Sequence, residues 1–108
     1  MTNFQALESS IDMIRSLRTP LGRIRRQDPD LARQLRRALA SVPLNLSEGR
    51  RRAGRDRTHH WRIACGSLDE ARTALRVAEA LGYLRLDGMR ESLELIDRVA
   101  GLTWGLVH

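Results

Sequence analysis

Apolar residues return every three or four positions in four successive stretches of this chain, and that period restricts it to packed helices. In the first stretch they are Phe4, Leu7, Ile11, Ile14, Leu17, Leu21 and Ile24. Pro20 interrupts the stretch and lacks a backbone donor, which predicts a kink between residues 16 and 20. Asp28 followed by Pro29 reads as an N-cap and a first-turn proline, so a second helix starts there. Its stripe is Leu31, Leu35, Leu39, Val42 and Leu46, with Gly49 on the same line and Pro43 expected to bend it. The Arg50-to-Arg57 stretch, which includes Gly54, either continues that helix or turns out of it. The third stripe is Trp61, Ala64, Leu68, Ala71, Leu75 and Ala78, and Gly82 suits a left-handed stop. Tyr83 to Leu86 then connect, and Asp87 is expected to cap a fourth helix carrying Met89, Leu93, Ile96, Ala100, Thr103 and Val107.

No run of β-branched residues alternates with polar ones, so strands do not compete. The expectation is a single domain over residues 1–108, all-α, folded as an antiparallel up-down-up-down four-helix bundle with short loops. A lone Cys65 cannot form an internal disulfide, which removes the case for a bridge-stapled secreted domain. Glu8 and Asp12 near the start are unlike a signal peptide, and no stretch nears the ~20 apolar residues of a membrane helix. A cytoplasmic protein with no membrane partner is expected.

The 19 basic side chains are all arginine, and the net charge is +6. A GC-rich genome would favour arginine codons without any functional demand. Guanidinium groups are nonetheless better forks for phosphate than ammonium groups, and a basic surface points to an acidic partner such as DNA or RNA. The densest run is Arg50, Arg51, Arg52, Arg55 and Arg57, followed by His59, His60, Trp61 and Arg62. Arg50, Arg51, Arg55 and Arg57 are the candidate phosphate contacts, set against the plainer reading of a solvated basic turn. Four aromatic residues in the whole chain leave little for base stacking, so binding would be mainly backbone-directed and weakly sequence-specific.

Two further patterns concern assembly and register. The last helix carries a second apolar line, Leu95, Val99, Leu102 and Leu106, and the third adds Ala74, Val77, Leu81 and Leu84. A globular bundle can bury so wide a face by itself. The alternative is contact with a second copy, with Leu95, Val99, Leu102 and Leu106 as the interface and Trp104 as an anchor. On the second helix Gln34, Arg37, Ser41, Asn45, Glu48 and Arg52 share one face beside the apolar stripe. Arg37, Ser41, Asn45, Glu48 and Arg52 are read as a structural polar network that fixes helix or subunit register, against a merely solvated face. Gly49 within it suggests a close backbone approach.

Chemistry finds no foothold. Adjacent His59 and His60 diverge on a helix and lack partners at metal-ligand spacing, so no metal or cofactor is implied. Cys65 has no histidine at three or four residues, and Gly66 and Ser67 read as small residues at a helix contact. No phosphate-cradling glycine loop or nucleophile elbow occurs, so no catalytic residue is assigned and an enzyme is not expected.

The runs Gln34-Leu35-Arg36-Arg37-Ala38 and Ser41-Val42-Pro43-Leu44-Asn45-Leu46-Ser47-Glu48-Gly49 with Arg52 form one signature. Ala64-Cys65-Gly66-Ser67-Leu68-Asp69-Glu70, then Leu81-Gly82-Tyr83-Leu84, form another. Together they resemble the four helix bundle protein family, also called 23S rRNA intervening-sequence proteins. That family includes the accessory variability determinant of diversity-generating retroelements. Leu46-Ser47 stand where the family usually has Ile-Ala, and alanine instead of leucine follows Glu70. The resemblance implies a four-helix protomer assembled as a homopentameric ring with a basic surface. For the retroelement member it implies binding to nucleic acid and to a reverse transcriptase. The leading expectation is therefore a non-enzymatic homo-oligomer, a pentamer, that binds DNA or RNA through its backbone. The alternative is a protein–protein adaptor for a reverse transcriptase or other nucleic-acid enzyme.

Overall fold

The computed structural model of the chain describes residues 4–108 and is helical almost throughout. Five α-helices follow in order: α1 (Gln5–Ser16), α2 (Arg18–Gln27), α3 (Pro29–Arg50), α4 (Gly54–Ala80) and α5 (Arg90–Val107). A short 3-10 turn, Leu86–Gly88, precedes α5, and no strand occurs among the described residues. The body measures 43 × 24 × 21 Å.

The expected kink is a full break at Leu17, where φ −95° and ψ 3° leave the helical basin. Pro20 explains it, because it cannot donate to the Ser16 carbonyl one turn back. That orphan acceptor is met from α5, where the Ser92 hydroxyl lies 3.1 Å from the Ser16 carbonyl and 2.9 Å from its hydroxyl. A buried carbonyl without a partner would be costly, so the break and its cover belong together. Asp28 caps α3 as expected, its carboxylate accepting from the Leu31 amide at 3.0 Å with Pro29 in the first turn. The helix then runs unbroken through Pro43.

At the end of α3 the chain turns over Arg51–Ala53, and Gly54 starts α4 with φ +58°, a region that glycine enters cheaply. At the far end Gly82, with φ +82°, closes α4. The Tyr83 amide bonds back to the Ala78 carbonyl and the Gly82 amide to the Glu79 carbonyl, both at 2.9 Å. The expected cap at Asp87 is not formed. Asp87 sits inside the 3-10 turn and pairs with Arg85 at 2.9 Å, while Met89 holds the N-cap position of α5 with no side-chain cap. The extra turn moves the N-cap two residues onward, from Asp87 to Met89.

The core is built from Met13, Leu17, Ile24, Leu35, Val42, Leu46, Leu68, Leu75, Ile96 and Val99, all fully buried. On α1 the deepest face is not the predicted line of Leu7, Ile11 and Ile14, which are half-buried. It is Ala6, Ser10, Met13 and Leu17, with Ser9 beside it. Small residues let α1 sit close to its neighbours, and their hydroxyls are satisfied: Ser10 donates to the Leu7 carbonyl and Ser9 accepts from Arg98 on α5. The predicted assembly line on α5 is also largely spent inside the protomer. Val99 is fully buried and cannot reach a second copy, while Leu95, Leu102 and Leu106 are half-buried against the core. The reason is that α5 packs against both α1 and α4, so two stripes are needed within one chain.

The α3–α4 pair forms the most extensive seam. Trp61 lays its indole on Gly49 and donates from Nε1 to the Leu46 carbonyl at 3.2 Å. A Cβ at Gly49 would come within 2.6 Å of that ring, which its hydrogen bond holds in place. Gly49→Ala should therefore destabilise the fold by about 1–3 kcal/mol through overpacking. Gly66 lies in the middle of α4 with nothing within 4 Å of a built Cβ. Gly66→Ala should stabilise by about 0.5–1 kcal/mol through helix propensity alone. Urea unfolding of the two variants checks both, and equal effects would contradict the close seam.

Candidate functional site

The polar ladder of α3 meets a matching ladder on α4. Ser41 and Ser67 share a hydroxyl–hydroxyl hydrogen bond at 2.7 Å. Asn45 donates its amide to the Ser41 carbonyl at 3.0 Å and lies as close to the Ser41 hydroxyl. Its carboxamide oxygen meets Nδ1 of His60 at 3.1 Å. Since that oxygen only accepts, His60 carries its proton on Nδ1 and presents Nε2 toward Asp56, 3.9 Å away. Asp56 in turn takes Arg52 at 2.9 Å, and Arg52 reaches Glu48 at 2.9 Å. Arg51 closes the chain on the other oxygen of Glu48 at 2.7 Å. Contacts at 41 with 67 and 45 with 60 also fix α3 and α4 as antiparallel neighbours.

Sequence reasoning placed Ser41, Asn45, Glu48 and Arg52 in this network, and the structure brings all four into it. Arg37 is exposed one turn before Ser41 and makes no hydrogen bond or ion pair among the described residues. The α4 half was missed: Asp56, His60 and Ser67. Their spacing of four and seven places them on one helical face, a signal that reading His60 for metals and Ser67 for packing passed over. Arg52 and then Arg51, hydrogen-bonded to Glu48, hold its carboxyl below the ordinary carboxylate range. Glu48 and Asp56 correspondingly raise Arg52, which stays charged.

The four arginines chosen as phosphate contacts fare unequally. Arg57 turns back on α3, donating to the Gly49 carbonyl at 3.0 Å and the Arg50 carbonyl at 3.1 Å, and lies over the Trp61 ring. It serves as a C-terminal cap for α3, which suits a cation at that end of a helix dipole. Arg50 sits over the Phe4 ring at 5.4 Å. Arg51 is engaged with Glu48. Arg55 alone of the four is exposed without a partner among the described residues. The turn is thus mainly a structural knot.

A second basic region lies at the other end of α3. Between Arg18 and Arg37 seven arginines stand against two carboxylates, Asp28 and Asp30. Both carboxylates are engaged: Asp28 caps α3 and takes the Tyr83 hydroxyl at 3.1 Å, and Asp30 pairs with Arg33 at 2.8 Å. Burial, with help from Asp28, pushes the Tyr83 hydroxyl above its ordinary value. The two basic regions are not brought together, because Arg33 and Arg51 are separated by 18 residues of helix, about 27 Å.

The family model described as 23S rRNA-intervening sequence protein matches residues 5–105. The chain belongs to that family. The match spans α1 to α4 and most of α5, so both the α3–α4 network and the α2–α3 arginines lie within the matched region. No curated protein matches the chain. No helix among the described residues of this 23S rRNA-intervening sequence family member is long and apolar enough to cross a membrane.

The Glu48 arrangement has a consequence in acid. A carboxyl held below its ordinary value of 4.5 in the folded chain contributes stability that is present above that pH. The contribution is lost as pH falls through the depressed value. Urea midpoints of the wild type should therefore drop below pH 4.5, and Glu48→Gln should flatten that acid limb while costing stability near neutrality. Parallel acid limbs in the two proteins would place the effect elsewhere.

Proposed function

We propose that this family member is a non-catalytic, self-assembling helical protein that binds nucleic acid along the phosphate backbone. The observation that carries the reading is the uneven placement of charge. The excess of arginine is concentrated in residues 18–37 and in the α3–α4 turn, where six arginines from Arg50 to Arg62 stand against Glu48 and Asp56. The stretch from Asp69 to Arg98 is net acidic, with seven carboxylates against five arginines. A surface divided in this way steers and holds a polyanion instead of merely keeping the protein soluble. The scarcity of exposed aromatics supports backbone contact over base stacking.

In this reading α1 and α2 count as one interrupted rod, which with α3, α4 and α5 makes an up-down-up-down four-helix protomer in a homopentameric ring. Support for assembly comes from large apolar side chains left in water. Leu44 is 68 % exposed and Leu81 55 %, with Ile63 and Val77 also exposed, all on or at the end of α3 and α4, and Trp104 on α5, the expected anchor, is exposed as well. Leu44, Ile63, Val77 and Leu81 take the place of Leu95, Val99, Leu102 and Leu106 in the assembly face, and Trp104 stays available as an anchor.

Titration of short RNA and DNA strands across a salt series tests the binding. The affinity should fall linearly with salt on logarithmic axes, and binding that is absent or indifferent to salt would refute it. Light scattering tests the assembly: the mass should be five times that of the protomer, and Leu44→Asp with Leu81→Asp should lower it while circular dichroism stays helical. A wild-type chain that scatters as a single protomer would remove the ring.

A further inference from the structure

We propose that the groove between α2 and the first turns of α3 is the seat of a nucleic-acid phosphodiester strand, gripped by Arg18, Arg25, Arg33 and Arg36. This rests on the reading of the protein as a nucleic-acid binder and assigns the site of contact. The groove encloses about 480 Å³. Arg18 and Arg25 stand two turns apart on one face of α2, and Arg33 and Arg36 one turn apart on α3. The floor between them is Leu21, Gly22, Pro29 and Ala32, and no carboxylate lines it. Gly22 has nothing within 4 Å of a built Cβ, so the floor is open to a ligand.

The availability of these guanidinium groups separates them from those of the α3–α4 turn. Only Arg33 has a carboxylate partner, Asp30, and that pair is exposed on both sides, so it competes weakly with a phosphate. Arg18, Arg25 and Arg36 are exposed and have no partner among the described residues. Uncompensated like charges on facing walls repel one another, and a polyanion between them relieves that repulsion while accepting bidentate hydrogen bonds. No aromatic residue lines the groove, so bases would not stack there and contact would be to sugar and phosphate. An anionic membrane fits less well. Among the described residues the large exposed apolar side chains are Leu44, Ile63, Val77, Leu81 and Trp104, none of them on α2 to enter lipid beside these arginines.

The test is fluorescence anisotropy of labelled oligo(U) RNA and oligo(dT) DNA with the full chain across a salt series. Three double variants are compared: R18Q/R36Q in the groove, R51Q/R55Q in the turn, and R76Q/R90Q as a control of equal charge change. Removing two phosphate contacts should reduce the salt slope of R18Q/R36Q by about 1.4 and weaken binding about tenfold or more. R51Q/R55Q should stay close to the control. RNA and DNA bound alike support backbone contact, and a preference for RNA supports it with a contribution from the 2′-hydroxyl. If R51Q/R55Q loses binding and R18Q/R36Q matches the control, the groove assignment fails and the nucleic-acid reading survives. A wild-type chain that binds neither strand ends both. Binding only to vesicles rich in anionic lipid, abolished in R18Q/R36Q, would make the groove a membrane site and overturn the proposal.

Discussion

The contact between the Trp61 indole and the bare backbone of Gly49 sets the distance between α3 and α4. The indole hydrogen bond to the Leu46 carbonyl fixes the ring's tilt, and Arg57 stacks over the ring while capping the end of α3. Once that distance is set, Asn45 and His60 face each other across the seam, and so do Ser41 and Ser67. The apolar stripe inside the seam supplies burial but tolerates sliding. A polar pair that must meet its partner does not, because a buried donor or acceptor left alone costs more than the bond itself gains. Register is therefore held by the hydroxyl and carboxamide contacts, and closeness by the glycine.

A second dependency runs through α1, α2 and α5. Pro20 breaks the first rod, and Ser92 from the last helix covers the carbonyl that the break exposes. Two segments far apart in sequence thus share one defect and its remedy. Past the break α2 packs along α3, as α1 also does, and α2 and the start of α3 together line a groove.

Much of this was legible from the period alone. The stripes of α3 and α4, the Asp28 cap, the break before Pro20 and the stop at Gly82 all follow from spacing and backbone chemistry. What escaped depends on partners that no single helix reveals. Whether Leu7 or Ala6 faces inward is decided by how closely α1 is packed, not by which residue is more apolar. Val99 looked surplus because a helix seen alone shows how wide its apolar face is and not how many neighbours cover it. The α3 half of the polar network could be read because its members repeat within one helix. The α4 half was hidden because His60 and Ser67 each had a more familiar role to suggest.

The arginines show the same limit most sharply. By density in the sequence, the Arg50-to-Arg57 run is the obvious phosphate site. Density, however, also brings helix ends, carboxylates and rings within reach, and a guanidinium with five donors takes whatever is nearest. Arg57 takes carbonyls, Arg51 a carboxylate and Arg50 a ring. The arginines of α2 are spaced along a helix flank whose neighbours are apolar or likewise basic, so they find fewer such partners. A folded chain can commit its most clustered charges to holding itself together and leave the scattered ones for a ligand. Availability, not abundance, then decides where a polyanion would bind.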